Sequence, residues 1–247
     1  MTLARLSLLA FFFSLAWGVG ADGGEKLTVS AAVSLKEPLA EVVRASGDDI
    51  DLHLGGSAAL VRQLLRGAPS DVFVSASPLE VARLVDEGLV TPGDICNVTA
   101  NELVVVVVPG SPLPTDLAGL SDGMFARIAV ANPRTAPLGR YTRQALVAAG
   151  LETSLQTRLI PAEHARQVID YVVRGEVDAA IVYATDAQRF AGRIAIAFAI
   201  DSGLHDPVVY QAAALGERGR SFLELVCSEA GGAVFENHGF RAWSGRR

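Results

Sequence analysis

Apolar positions along this chain form short runs that alternate with stretches of helical spacing. Residues 27–33 predict a strand, after which Leu35, Leu39, Val42 and Val43 recur at the spacing of one helix face. Residues 50–54 predict a second strand, followed by a helix through Leu60, Val61, Leu64 and Leu65. Residues 71–74 predict a third, followed by a helix through Leu79, Ala82, Leu84 and Val85. The aliphatic run 103–108 reads as a fully buried strand. Beyond the Pro- and Gly-rich loop at 109–114 the alternation resumes. It gives strands at 127–131, 158–160, 179–183 and 193–199, with helices at 141–149 and 163–174. A turn-rich stretch, 201–207, leads to a strand at 208–215, a helix at 221–229 and a shorter helix from Ala233. Strands alternating with helices predict βαβ units and mainly parallel sheets. Two such sets of about 100–120 residues fit two α/β lobes, with the cleft between them a common place for a ligand.

The first 21 residues follow another rule. A single basic residue, Arg5, precedes an uncharged apolar stretch, and Val19-Gly20-Ala21 puts small or medium residues at the −3 and −1 positions. That is the layout of a secretory signal cleaved after Ala21. A retained anchor is the alternative, but the uncharged run 6–21 is short for a membrane span. Half of the 247 residues are hydrophobic and the net charge is −6, which becomes −7 once Arg5 is removed. This composition excludes a disordered chain and a basic nucleic-acid binder. The four His show no metal-ligand spacing, so no free metal cation and no cofactor is implied. Export makes a disulfide between Cys96 and Cys227 permissible. Two independent buried thiols are nevertheless expected, because free Cys is commonly buried.

Two serines follow strands in the same way. Ser34 comes after the first strand and opens a helix, with Glu37 placed to complete a capping box. Ser57 comes after a flexible Gly55-Gly56 turn and opens the next helix. Both are expected beyond the carboxyl ends of parallel strands, where open α/β sheets bind ligands. Helix N-termini there favour an anion. Ordinary N-capping explains either serine alone. Gly55-Gly56-Ser57-Ala58-Ala59 also approximates a nucleophile elbow, with His164, His205 or His238 as a base, although Ala59 replaces the last glycine. In the second set, residues 132–141 form a strand-to-helix loop whose Gly139 lets backbone approach a ligand. Residues 161–166 open the next helix, and Tyr183 ends a strand with a phenol able to donate a hydrogen bond. A core tyrosine with a satisfied hydroxyl is the plain alternative.

In this order and spacing, the chain resembles the periplasmic molybdate-binding proteins of ABC transporters, the ModA type. The segments that carry the resemblance are 31–35, 56–63, 67–76, 101–106, 136–141, 161–163, 181–183 and 237–240. The resemblance implies a two-lobed periplasmic-binding-protein fold, each lobe a mainly parallel sheet flanked by helices. Lobe one would comprise 26–101 plus 206–247, and lobe two 102–205. It implies a non-enzymatic, monomeric binder of molybdate or tungstate in the periplasm, delivering its ligand to a membrane permease. The oxyanion would be held by hydroxyl and amide of Ser34 and Ser57, the amides of Leu138 and Ala165, and the Tyr183 hydroxyl. Leu138 and Ala165 stand where the family often has Ala and Val, Asn132 replaces a common Asp, and Tyr210-Gln211-Ala212 departs from a Tyr-Pro-Val pattern. The alternatives are another oxyanion or small organic acid on the same fold, or a secreted serine hydrolase using Ser57.

Overall fold

The computed structural model describes residues 26–243, so the leader expected at 1–21 lies outside the described residues. The chain begins with β1 (Leu27–Ala32), α1 (Lys36–Ser46), β2 (Ile50–Gly55), α2 (Ser57–Leu64), β3 (Val72–Ser75), α3 (Pro78–Asp86) and β4 (Ile95–Asn101). It crosses to β5 (Leu103–Val107), β6 (Ile128–Ala131), α4 (Pro137–Ala148), α5 (Glu152–Leu155) and β7 (Leu159–Ala162). There follow α6 (Ala165–Val173), β8 (Ala179–Tyr183), α7 (Ala184–Arg189) and β9 (Ala195–Ala199). The chain then returns as β10 (Val208–Ala214), α8 (Arg220–Cys227) and α9 (Glu229–Asn237).

Two five-stranded sheets result, ordered β2-β1-β3-β10-β4 and β7-β6-β8-β5-β9. In each, three strands are parallel, with β1 between β2 and β3, and β6 between β7 and β8. The other half of each sheet is antiparallel. There β10 runs between β3 and β4, and β5 between β8 and β9. Both sheets are therefore mixed. The parallel half carries the βα turns that make the site, and the antiparallel half is built on the strand that brings the chain across. The same order appears twice with no repeat in the sequence.

Most expected elements are present, with shifted ends. Helix α4 begins at Pro137, four residues before the apolar spacing shows, because proline suits the first helical position. Helix α9 begins at Glu229, with the Ser228 hydroxyl accepting from the Gly231 N–H at 3.0 Å. Three elements have no counterpart in the sequence pattern: β4, the four-residue α5 and α7. Strand β4 is an edge strand with Asn at two positions, and α7 is a short helix hidden behind the apolar run of β8.

The expectation of two independent thiols is corrected. Cys96 and Cys227 form a disulfide, with Cα atoms 6.2 Å apart across a sequence separation of 131. β10 pairs with β4, and α8 packs back against both, so sequence-distant residues meet at this edge.

Candidate functional site

The carboxyl ends of the parallel strands in the two sheets face each other, and the helices that follow point their N-termini into the gap. Ser34 lies in a single 3-10 turn (Val33–Leu35) between β1 and α1. Ser57 is the first residue of α2, behind the N-cap Gly56. Leu138 is the second residue of α4, and Ala165 is the first of α6. Tyr183 ends β8 and is the N-cap position of α7. Amides in such first turns have no partner four residues back, so they are available to a ligand. The structure thus brings all five expected residues to one small cavity of about 10 Å³, with Gly56 and Ala76 also in its wall. No residue lining it is charged.

The two serine hydroxyls at this cavity have defined partners. The Ser57 side chain is fully buried, and its Oγ accepts from the Ala76 N–H at 3.1 Å. Ser34 Oγ lies 3.0 Å from the Tyr210 hydroxyl. Asn101 Nδ2 donates to Thr185 Oγ1 at 2.9 Å and to the Tyr210 hydroxyl at 3.4 Å, while Asn101 Oδ1 accepts from the Glu102 N–H at 2.9 Å. The Tyr183 hydroxyl is buried and has no hydrogen-bond partner among the described residues. Burial pushes its ionisation well above the ordinary phenol range, so it is a protonated donor.

The expected capping box does not form. No side chain caps the turn at Ser34, and Glu37 reaches across the gap to Arg166 Nη2 at 3.0 Å and to Arg189. A second pair mirrors it. Arg140, two residues after Leu138, donates to Glu80 Oε2 at 3.0 Å and to Ser77 Oγ at 2.9 Å. Tyr141 donates to the Ala76 carbonyl at 3.3 Å, and burial raises its hydroxyl to about 12. Beside Arg166, burial lifts the Asp186 carboxyl to about 6, although the guanidinium opposes the shift.

Gly55-Gly56 serves closeness rather than flexibility. A Cβ on Gly56 would stand 2.3 Å from the Thr135 carbonyl oxygen and 3.2 Å from that of Glu163. The Ala59 N–H also reaches the Thr135 oxygen, at 3.2 Å. Thr135 Oγ1 in turn donates to the Glu163 carbonyl at 2.7 Å, joining the two loops that lead to Leu138 and Ala165. Gly139 behaves otherwise than expected. Its close neighbours are Ala131 O and Pro133 N, so it lets α4 pack on the end of β6 and does not face the cavity.

The nucleophile-elbow reading finds no base at Ser57. His53 pairs with Gln63, His164 Nδ1 accepts from the Gln167 N–H, His205 lies against the Asp206 carbonyl, and His238 meets Glu41. The strand-to-helix pattern marks Ser34, Ser57 and Tyr183, and the family resemblance adds Leu138 and Ala165; neither gives a role to Tyr210, Asn101 or the rim pairs, and Gly56 reads only as a flexible turn. The nearest local hint was an arginine one or two residues beyond each second-sheet amide, Arg166 and Arg140.

Known proteins resemble this chain in sequence and in fold. Residues 27–241 match the family described as bacterial extracellular solute-binding protein. The chain is 30% identical to the molybdate-binding protein ModA of Escherichia coli, over 94% of each chain. Among solved structures, the periplasmic molybdate-binding protein of Azotobacter vinelandii aligns with a TM-score of 0.75 at 23% identity, covering 87% of this chain and 98% of that one. The sulfate-binding protein SubI of Mycobacterium tuberculosis aligns with a TM-score of 0.75 at 15% identity, covering 90% and 88%. At those identities the structural matches show the fold alone.

Proposed function

The chain belongs to the bacterial extracellular solute-binding proteins, in the ModA family, and from that premise we propose that its ligand is molybdate or tungstate. It is a non-enzymatic binding component of an ABC transporter. In this reading Ser34 and Ser57 offer hydroxyl and amide, Leu138 and Ala165 their amides, and Tyr183 its hydroxyl. The observation that carries the reading is the convergence of these neutral donors from both sheets on one uncharged cavity, where the Tyr183 hydroxyl has no partner among the described residues. A tetrahedral dianion supplies acceptors to all of them at once. Hydrogen bonds to a charged acceptor are roughly twice as strong as neutral ones.

The net charge of −6 opposes an approaching anion, so affinity rests on local, oriented donors. We take 26–101 plus 206–247 and 102–205 as the two lobes. They close about the crossings near residues 101–103 and 199–207, with the ligand favouring the closed form. The closed protein, a monomer exported with cleavage after Ala21, then delivers its ligand to the membrane permease. Calorimetric titration with molybdate, tungstate, sulfate and phosphate tests this. Tight binding of the first two is expected, and no heat with any of the four removes the reading. Tight binding of sulfate alone moves it to another oxyanion on the same fold.

A further inference from the structure

We infer that Tyr210 and Asn101, neither of which lines the cavity, fix the Ser34 hydroxyl as a donor, so that the site selects oxyanions carrying no proton. This rests on the oxyanion-binding reading above and concerns the same site.

The direction of each hydrogen bond follows from groups that can act in only one sense. The Glu102 N–H can only donate, and it donates to Asn101 Oδ1. The Asn101 amide is thereby oriented, with its Nδ2 turned to Thr185 and Tyr210. An amide nitrogen only donates, so the Tyr210 oxygen is the acceptor there. The Tyr210 proton is left for Ser34 Oγ, 3.0 Å away. Ser34 therefore accepts from Tyr210, and its own proton faces the cavity. Burial holds the Tyr210 hydroxyl far above its ordinary ionisation, so the proton stays in place.

Ser57 is set in the same way. Its Oγ accepts from the Ala76 N–H, another group that can only donate, which frees its proton for the cavity. The Tyr183 proton has no acceptor among the described residues. Three hydroxyl protons thus require acceptors, and no carboxylate lines the cavity to accept a proton from the ligand. Molybdate, tungstate and sulfate offer four unprotonated oxygens. Hydrogen phosphate has the same charge and a size close to sulfate, but one of its oxygens carries hydrogen. That oxygen meets a donor with a donor and leaves a buried polar group unpaired, which costs about tenfold or more in affinity.

The test is calorimetry with molybdate, sulfate and hydrogen phosphate at pH 7.5 on the wild type, Tyr210→Phe and Asn101→Asp, with the melting temperature of each ligand-free protein. The wild type is expected to prefer the unprotonated anions to hydrogen phosphate by at least about tenfold. Tyr210→Phe keeps the ring and releases the Ser34 proton. It should weaken molybdate and sulfate about tenfold while changing hydrogen phosphate little, so the preference shrinks. Asn101→Asp supplies an acceptor to Tyr210 and reverses the relay. Its added charge repels all three dianions alike, so a shift of the preference towards hydrogen phosphate isolates the hydrogen-bond effect. A preference unmoved in both variants, or equal wild-type affinity for sulfate and hydrogen phosphate, overturns the inference and leaves the oxyanion-binding reading standing. A wild type that binds none of the anions removes that reading instead.

Discussion

Gly56→Ala is the sharpest test of closure, because the added methyl has nowhere to go only when the two sides are together. Its Cβ would sit 2.3 Å from the Thr135 carbonyl oxygen and 3.0 Å from the carbonyl carbon, both rigid backbone atoms. Restoring an ordinary contact of 3.4 Å parts the two sides by about 1 Å at this point. The Ala59–Thr135 hydrogen bond, already 3.2 Å, then breaks. The same loops carry the Leu138 and Ala165 amides, so both donors withdraw from an anion held by Ser34 and Ser57. Each charge-assisted bond contributes about 1.5–3 kcal/mol, which makes the joint loss about 3–6 kcal/mol. That converts to roughly a 10²- to 10⁴-fold rise in Kd. Alanine adopts the Gly56 backbone angles, φ −73° and ψ 130°, without strain. The ligand-free lobes should accordingly melt within a few degrees of wild type. Calorimetry reads the affinity, and small-angle scattering reads the compaction that molybdate induces in the wild type and fails to induce in the variant. Binding of molybdate by Gly56→Ala within threefold of wild type would refute the reasoning.

Three further predictions concern single groups. Tyr183→Phe removes the hydroxyl that has no partner among the described residues. It should weaken molybdate by about 1.5–3 kcal/mol in calorimetry without lowering the ligand-free melting temperature, and a variant that is destabilised but binds normally refutes the assignment. Glu37→Gln and Arg166→Gln should each speed molybdate release, and a double-mutant cycle should show coupling of about 1 kcal/mol in anion affinity but none in ligand-free stability. Additive losses in affinity argue against a bond made on closure. For Asp186, burial raises the folded carboxyl from 3.8 to about 6, so folding takes up a proton. Its contribution to stability is full below pH 3.8 and is lost as pH rises through 6. Asp186→Asn should therefore melt higher than wild type at pH 7.5, by up to about 3 kcal/mol of stability, with the gap closing towards pH 4. A gap independent of pH contradicts this.

The parts of the molecule that could be read from the sequence are those with local signals. Strands such as 103–108 and 179–183 announce themselves as aliphatic runs, and Ser34 and Ser57 stand at strand-to-helix turns. The unread parts depend on pairing between remote positions. Asn101 and Tyr210 meet across 109 residues, and Glu37 and Arg166 across 129. Locally, Ser34 and Glu37 look like a capping box, but two arginines from the other sheet compete successfully for that carboxylate. Gly56 next to Gly55 reads as slack chain, and only the opposing Thr135 carbonyl shows why a side chain is excluded. The disulfide was missed because nothing near Cys96 or Cys227 tells that β10 brings their elements together.

The Cys96–Cys227 bridge also imposes an order on biogenesis. It closes a covalent ring of chain that contains every strand of the second sheet, from β5 to β9. A polypeptide emerging N-terminus first cannot seal the ring until residue 227 has appeared, by which time the whole insert is already outside. The second sheet thus has the opportunity to fold as a cassette before the first is locked. Once made, a ring of this length removes about 5 kcal/mol of conformational freedom from the unfolded chain. A nick inside the insert leaves one covalent molecule, whereas the same nick in the reduced protein releases two fragments.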